Sequence, residues 1–427
     1  MRTFCFKRAP RRLLITLSWL LLAVSVQAEE AELTLTEAIH RTLTDSPTLR
    51  ARGFLAAAQR ARIAQAAIGP APQLGLMVEN AAGTGAFSGL DAAETTLSVN
   101  WVLAKTRVAA ATASAEAAAS RLTQDRALAQ LNVSSQTAQH FLSVLRAQGL
   151  EALAQGQGAD ATRAREAAQR LFDAGQGSPA EVKQGELDEA RAALLAEEAR
   201  HELAVARRQL AAQWGQTSAT SPRAQGDWTR LPPLPTLGAL ETGLAASPHL
   251  QRFEEDARVL EAAEALALEN NRTLWTLNGG VRHFALGDDL AFVASITATL
   301  PQSTRRSARQ RELSAERSAL RAEAAGLSEQ LKADLFKLHA QLANARHQVE
   351  QLDEALLPLV KGALDHYREG YEAGLYPLPL VRNLEQERWA LERERLELAF
   401  EAHRARVALE RLSGLALPAP ALELEQN

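Results

Sequence analysis

Hydrophobic and polar residues alternate with a period of two in four short stretches of this chain. In 73–80 (QLGLMVEN), Leu74, Leu76 and Val78 share a face. In 95–103 (TTLSVNWVL), Leu97, Val99, Trp101 and Leu103 oppose Thr96, Ser98 and Asn100. In 274–284 (LWTLNGGVRHF), Trp275, Leu277 and Val281 oppose Thr276, Asn278 and Arg282. In 290–300 (LAFVASITATL), Leu290, Phe292, Ile296 and Leu300 oppose Ser295, Thr297 and Thr299. This spacing predicts strands with one apolar and one polar face. Elsewhere Ala, Leu, Glu, Arg and Gln dominate, the composition of long helices. Six are expected, over about 36–68, 104–171, 182–214, 236–270, 303–370 and 381–413. The expected fold class is therefore mainly α with a small β part.

At about 1.5 Å per residue the two long helices reach ~100 Å and the others ~50 Å. Two short helices end to end match one long one, so 182–214 is expected to stack on 236–270, and 381–413 on 36–68. Ser303 and Thr304 are expected N-caps of the second long helix. Gly156 and Gly158 are expected to weaken the first.

The order of elements occurs twice. Residues 172–215 (FDAGQGSPAEVKQ…) align without gaps with 371–414 (YEAGLYPLPLVRN…) at an offset of 199, sharing Gly175/Gly374, Val182/Val381, Glu202/Glu401 and Gly215/Gly414. AIHRTLTDSPTL (38–49) and ALETGLAASPHL (239–250) share a Ser-Pro pair. The expected organisation is a first repeat over 29–232 with hairpin 73–103, a second over 233–418 with hairpin 273–301, and a tail, 419–427. Residues 1–28 have the layout of a secretory signal peptide: five basic residues, an apolar run over 13–26, and small residues before position 29. Its removal would take the formal net charge from −4 to −9 and remove the one cysteine, Cys5. That excludes disulfide scaffolds and Cys-ligated metal centres. The charge balance gives no case for nucleic acid.

An exported chain with strands of 8–11 residues, apolar on one face, fits a transmembrane β-barrel. Four strands cannot close one, since barrels begin at about eight. At least a dimer is needed, and a trimer would give twelve strands. Trp101 and Trp275 are candidates for the aromatic girdle. Loops 81–93 and 285–289 would face outside the cell.

With these features the chain resembles the TolC-type outer-membrane factors from about residue 33 to 418. The segments GPAPQLGLMVENAAGTG and AETTLSVNWVL are similar to those of the cobalt–zinc–cadmium efflux branch, although VLAKTRVAA (102–110) stands where that branch has Gly-Gly-Lys-Arg. The turns FDAGQGSPAEV and YEAGLYPLPLV resemble the family's helix-tip motif. The resemblance implies a homotrimer with a twelve-stranded barrel in outer-membrane lipid, continued by a long α-helical barrel. It further implies a periplasmic adaptor and an inner-membrane RND-type pump as partners, with heavy-metal cations as cargo. Adaptor contact is expected at Phe172, Gly175, Ser178, Glu181, Val182, Tyr371, Gly374 and Val381, and a periplasmic gate at Tyr371, Tyr376 and Leu380. Leu380 stands where the tip motif has an acid.

No catalytic motif accompanies these features: P-loop, Gly-x-Ser-x-Gly and His-Glu-x-x-His are all lacking. The nine histidines are scattered, without ligand spacing. No cofactor, metal site or enzymatic activity is expected. Two other readings stay open, a multidrug or type I protein secretion duct of the same fold, and a periplasmic coiled-coil scaffold without a pore.

Overall fold

The computed structural model describes residues 32–216 and 222–414. The expected leader 1–28 and tail 419–427 lie outside these. In chain order the elements are β1 (Glu32–Leu33), α1 (Leu35–Asp45), α2 (Pro47–Ala66), β2 (Gln73–Glu79), β3 (Glu94–Leu103), α3 (Lys105–Asp173) and α4 (Pro179–Ala212). Then follow β4 (Arg223–Ala224), α5 (Leu237–Ala245), α6 (Pro248–Asn270), β5 (Leu274–Phe284), β6 (Asp289–Thr299), α7 (Ser303–Gln351), α8 (Leu357–Glu372) and α9 (Leu378–Ser413).

The first helix of each repeat, expected to be continuous, is broken at the shared Ser-Pro. Proline pushes the preceding residue out of the helical region, and Ser46 and Ser247 have ψ of 125° and 148°. The second long helix carries a π turn, Leu352–Leu356, between α7 and α8. Pro358 has no N–H for the carbonyl of Glu354, and the widened turn keeps the column going. The first long helix, by contrast, runs unbroken for 69 residues through both glycines. A β-carbon on Gly156 would lie 2.6 Å from the Trp389 ring of α9. That glycine is there for close packing between helices. The N-cap of α7 is Gln302, not Ser303 or Thr304, and no side chain caps it.

End-to-end stacking occurs within each repeat, not between repeats as expected. A β-carbon on Gly215, past the end of α4, would lie 3.5 Å from Pro47 at the start of α2. One on Gly414, past α9, would lie 3.1 Å from Pro248 at the start of α6. Each repeat's last helix thus abuts its own first, and the Pro that breaks the first helix supplies the seat.

The main core sits halfway along the helices, where Phe141, Leu142, Leu210, Leu396 and Phe400 are fully buried. Each such side chain contributes about 1.5–3 kcal/mol. The segment linking the repeats straps this level. Trp228 stacks on Phe400 at 5.6 Å, Arg346 Nη1 donates to the Pro232 carbonyl at 2.5 Å, and β4 pairs with β1 in parallel. Arg146 of α3 joins Glu202 of α4 and Glu397 of α9 at 2.5 Å each. Burial opposes ionisation of Glu397, but the Arg146 hydrogen bond and charge outweigh it and hold the carboxyl below its usual range.

Candidate functional site

The two hairpins join into one antiparallel sheet of order β2-β3-β5-β6. Direct cross-strand partners share a face, so the register sorts the side chains. Leu76, Leu97, Val281 and Phe292 lie in one row; Trp101, Leu277 and Ile296 lie in another. All belong to a single apolar face, open to the surroundings, with Phe292 93% exposed. The opposite face carries Thr96, Ser98, Asn100, Thr276, Asn278, Ser295 and Thr297, in agreement with the alternation read from the sequence. Trp101 and Trp275 occupy the apolar face near the helical end of the sheet, and both are exposed. Among the described residues, β2 and β6 are edges with one partner each. No described helix is long and apolar enough to cross a membrane.

On the polar face, near the loop end, three strands meet around one guanidinium. Arg282 of β5 donates to Thr96 Oγ1 at 2.9 Å, Glu94 Oε2 at 2.7 Å and Glu79 Oε2 at 2.9 Å. Asn80 donates to the other Glu94 oxygen at 2.8 Å. The clamp fixes the register of β2, β3 and β5 and leaves one excess negative charge. Alternation put Arg282 on the polar face, but gave no sign that it would meet carboxylates from the other repeat.

At the far end, α3 turns into α4 and α8 into α9. Gly175 and Gly374 sit in the left-handed region at φ 75° and 73°. A β-carbon on Gly177 would lie 2.7 Å from the Phe172 nitrogen, so this turn needs a second glycine. Ser178 and Glu181 form a capping box: Ser178 Oγ accepts from the Ala180 N–H at 3.1 Å, and Glu181 accepts from the Ser178 N–H at 3.2 Å. The second tip has Pro377 at this position and no side-chain cap. In its place the Tyr376 ring lies over Gly370 and meets the Tyr367 ring at 4.8 Å, tilted by 30°.

The expected tip residues divide by burial. Val182 and Val381 are buried, and Tyr371 packs with Leu364, Leu378 and Val381. Its hydroxyl is buried without a hydrogen-bond partner among the described residues. Burial, and secondarily the charge of Glu181, push its pKa up. Phe172, Tyr376 and Leu380 remain about two-fifths exposed at the surface. Leu375, not singled out in the sequence, is the most exposed of the second turn's large apolar residues at 75%.

Above the tips a buried carboxylate, Asp160 of α3, contacts Arg163, Arg388 of α9 and Arg368 of α8. Arg382 of α9 pairs with Asp188 of α4 at 2.7 Å. The pairs made by Arg368, Arg382 and Arg388 tie the two repeats together. Beside them a groove of about 430 Å³ runs between α3, α4 and α9.

No protein-family model matches the chain. The cobalt-zinc-cadmium resistance protein CzcC of Cupriavidus metallidurans is 29% identical over 242 residues, which span 56% of this chain and 57% of CzcC. Among solved structures, the outer-membrane channel OprN superposes with a TM-score of 0.73 at 18% identity, covering 89% of each chain. CusC gives 0.72 at 14% identity over 89% of this chain and 91% of its own. The outer membrane protein VceC of Vibrio cholerae gives 0.71 at 16% identity over 89% and 96%. These structures match about nine-tenths of the chain, and its fold is that of the TolC-type outer-membrane factors.

Proposed function

We propose that this chain is the outer-membrane exit duct of a tripartite efflux system. One observation carries the reading. A sheet with two free edges, an exposed apolar face and a polar opposite face continues into helical columns ~100 Å long. The edges and the apolar face need partners. In a homotrimer, β6 of one protomer pairs with β2 of the next, closing twelve strands with the apolar face in lipid and the polar face around a water-filled lumen. The helices then extend into the periplasm as a second tube. The duct is passive and performs no catalysis. The similarity to CzcC favours heavy-metal cations as cargo, moved by an inner-membrane RND-type pump through a periplasmic adaptor. The excess negative charge at each Glu79–Arg282–Glu94 clamp suits a cation path. At the tips, Phe172, Leu375, Tyr376 and Leu380 are the exposed large apolar groups offered to the adaptor and to closure. Val182, Val381 and Tyr371 support them from within.

Mass measurement in mild detergent tests the assembly: a trimer is expected, and a monomer overturns the barrel. A deletion strain is expected to become sensitive to cobalt, zinc or cadmium. Sensitivity to organic drugs alone would transfer the duct to another cargo.

A further inference from the structure

A cavity of about 590 Å³ lies where the sheet passes into the helices, between α6, α7 and the start of α3. Its wall includes Leu274 and Thr299, the first residue of β5 and the last of β6. It also includes Leu300, which continues the apolar face of β6 by the two-residue period and is 74% exposed. The cavity is strongly basic. Arg107, Arg272, Arg305, Arg306 and Arg309 line it, against the single carboxylate of Glu264. Glu264 is already bridged by Arg317 at 2.9 Å, Arg272 is paired with Glu269, and Arg309 with Glu312. Arg305 and Arg306 have no acidic partner among the described residues.

Two further features favour an anion at this place. Arg107 donates through Nη2 to the Asn270 carbonyl at 3.1 Å, but its Nε is buried without an acceptor. A buried charged donor left unmade is costly. Arg305 and Arg306 occupy the first turn of α7, which holds no acid and has no side-chain cap. Cations there oppose the helix dipole, where an anion would be favoured.

We propose that this cavity holds the phosphate group of an anionic phospholipid. The inference rests on the membrane-spanning reading above. In that reading the cavity lies at the periplasmic edge of the hydrocarbon, beside Trp101 and Trp275, at the level of the inner-leaflet headgroups. Guanidinium groups bind phosphate oxygens through charge-assisted, often bidentate, hydrogen bonds. Basic pockets at membrane interfaces recognise lipid headgroups in this way. The acyl chains would lie along the apolar face past Leu300. A solvated arginine surface would explain Arg305 and Arg306, but not the buried Arg107 Nε.

The test is native mass spectrometry of the delipidated full-length trimer, titrated with phosphatidylglycerol, phosphatidylethanolamine or inorganic phosphate. Phosphatidylglycerol is expected to be retained, up to one per protomer, under activation that strips phosphatidylethanolamine. The double variant Arg305→Gln/Arg306→Gln should weaken that retention roughly thirtyfold. Arg311→Gln, on the same helix but outside the cavity, should leave it unchanged. Equal retention of both lipids by the unmodified trimer overturns the proposal and needs no variant to fold. Displacement of phosphatidylglycerol by millimolar inorganic phosphate would make the site one for free phosphate, and also overturns it. An intact trimer that retains neither lipid refutes this inference while leaving the duct standing. A chain that forms no trimer refutes both.

Discussion

The sidedness of the sheet can be tested at adjacent residues. Val99 lies near the middle of β3, between Leu74 of β2 and Gly279 of β5 on the apolar face. Ser98 points to the other side, between Gly75 and Gly280. At about 3.3 Å per residue, the ten residues of β3 span ~33 Å, or ~23 Å along the membrane normal at a tilt of about 45°. In the proposed trimeric barrel Val99 therefore falls close to the bilayer midplane. There an arginine on the lipid face costs about 2–4 kcal/mol per chain, or roughly 6–12 kcal/mol over three protomers. The flanking glycines leave room on the polar face, so Ser98→Arg should change stability by only about 0.5 kcal/mol. Leu103→Arg, on the lipid face at the last residue of β3, sits near the interface and should cost about 0–1 kcal/mol. Urea unfolding of the trimer from lipid vesicles, with heat-resistant migration as a second readout, measures all three. Equal losses for Val99→Arg and Ser98→Arg, or a larger loss for Ser98→Arg, would refute the assignment of faces.

Gly156→Ala and Gly158→Ala should have opposite signs in thermal melts. The first drives a methyl against the Trp389 ring, held by Arg388 at 4.0 Å, and should cost about 1–3 kcal/mol. The second meets nothing within 4 Å and should gain about 0.5–1 kcal/mol from helix propensity; the same sign for both would refute the packing. His403 is buried with Nε2 against the Trp228 carbonyl at 3.0 Å, and burial lowers its pKa. Its contribution to stability is complete above the unfolded value of about 6.5 and erodes as pH falls from there toward the folded pKa, by up to about 1.4 kcal/mol per unit. His403→Gln should flatten the melting curve against pH between 7 and 5, and an unchanged slope would contradict this. Ser178→Ala removes the cap of α4 and should cost about 0.5–2 kcal/mol, whereas Ser178→Asp keeps it. If efflux in cells fails with Ser178→Asp while the melting temperature holds, the tip touches a partner; if both are normal, Ser178 serves only the helix.

Where one period covered a whole element, the sequence alone determined the outcome. Period-two alternation located all four strands to within a residue and sorted their faces, because neighbouring side chains in a strand must point oppositely. The doubled tip segments located both turns, because a tight helix reversal needs φ > 0, and glycine reaches it without steric cost. Only the tertiary structure decided the rest. Gly156 reads locally as a helix weakener, yet a tryptophan more than 200 residues away makes it a contact. The Ser-Pro pairs were visible as repeat markers. That they break helices and seat the last helix of the same repeat depends on which ends meet. Arg282 with Glu79 and Glu94, the meeting of Arg107 with Arg305 and Arg306 at one cavity, and the cross-repeat pairs of Asp160 all bring together residues distant in sequence. Periodicity fixes which way a side chain points along its own element; what it meets there is set by how the elements assemble.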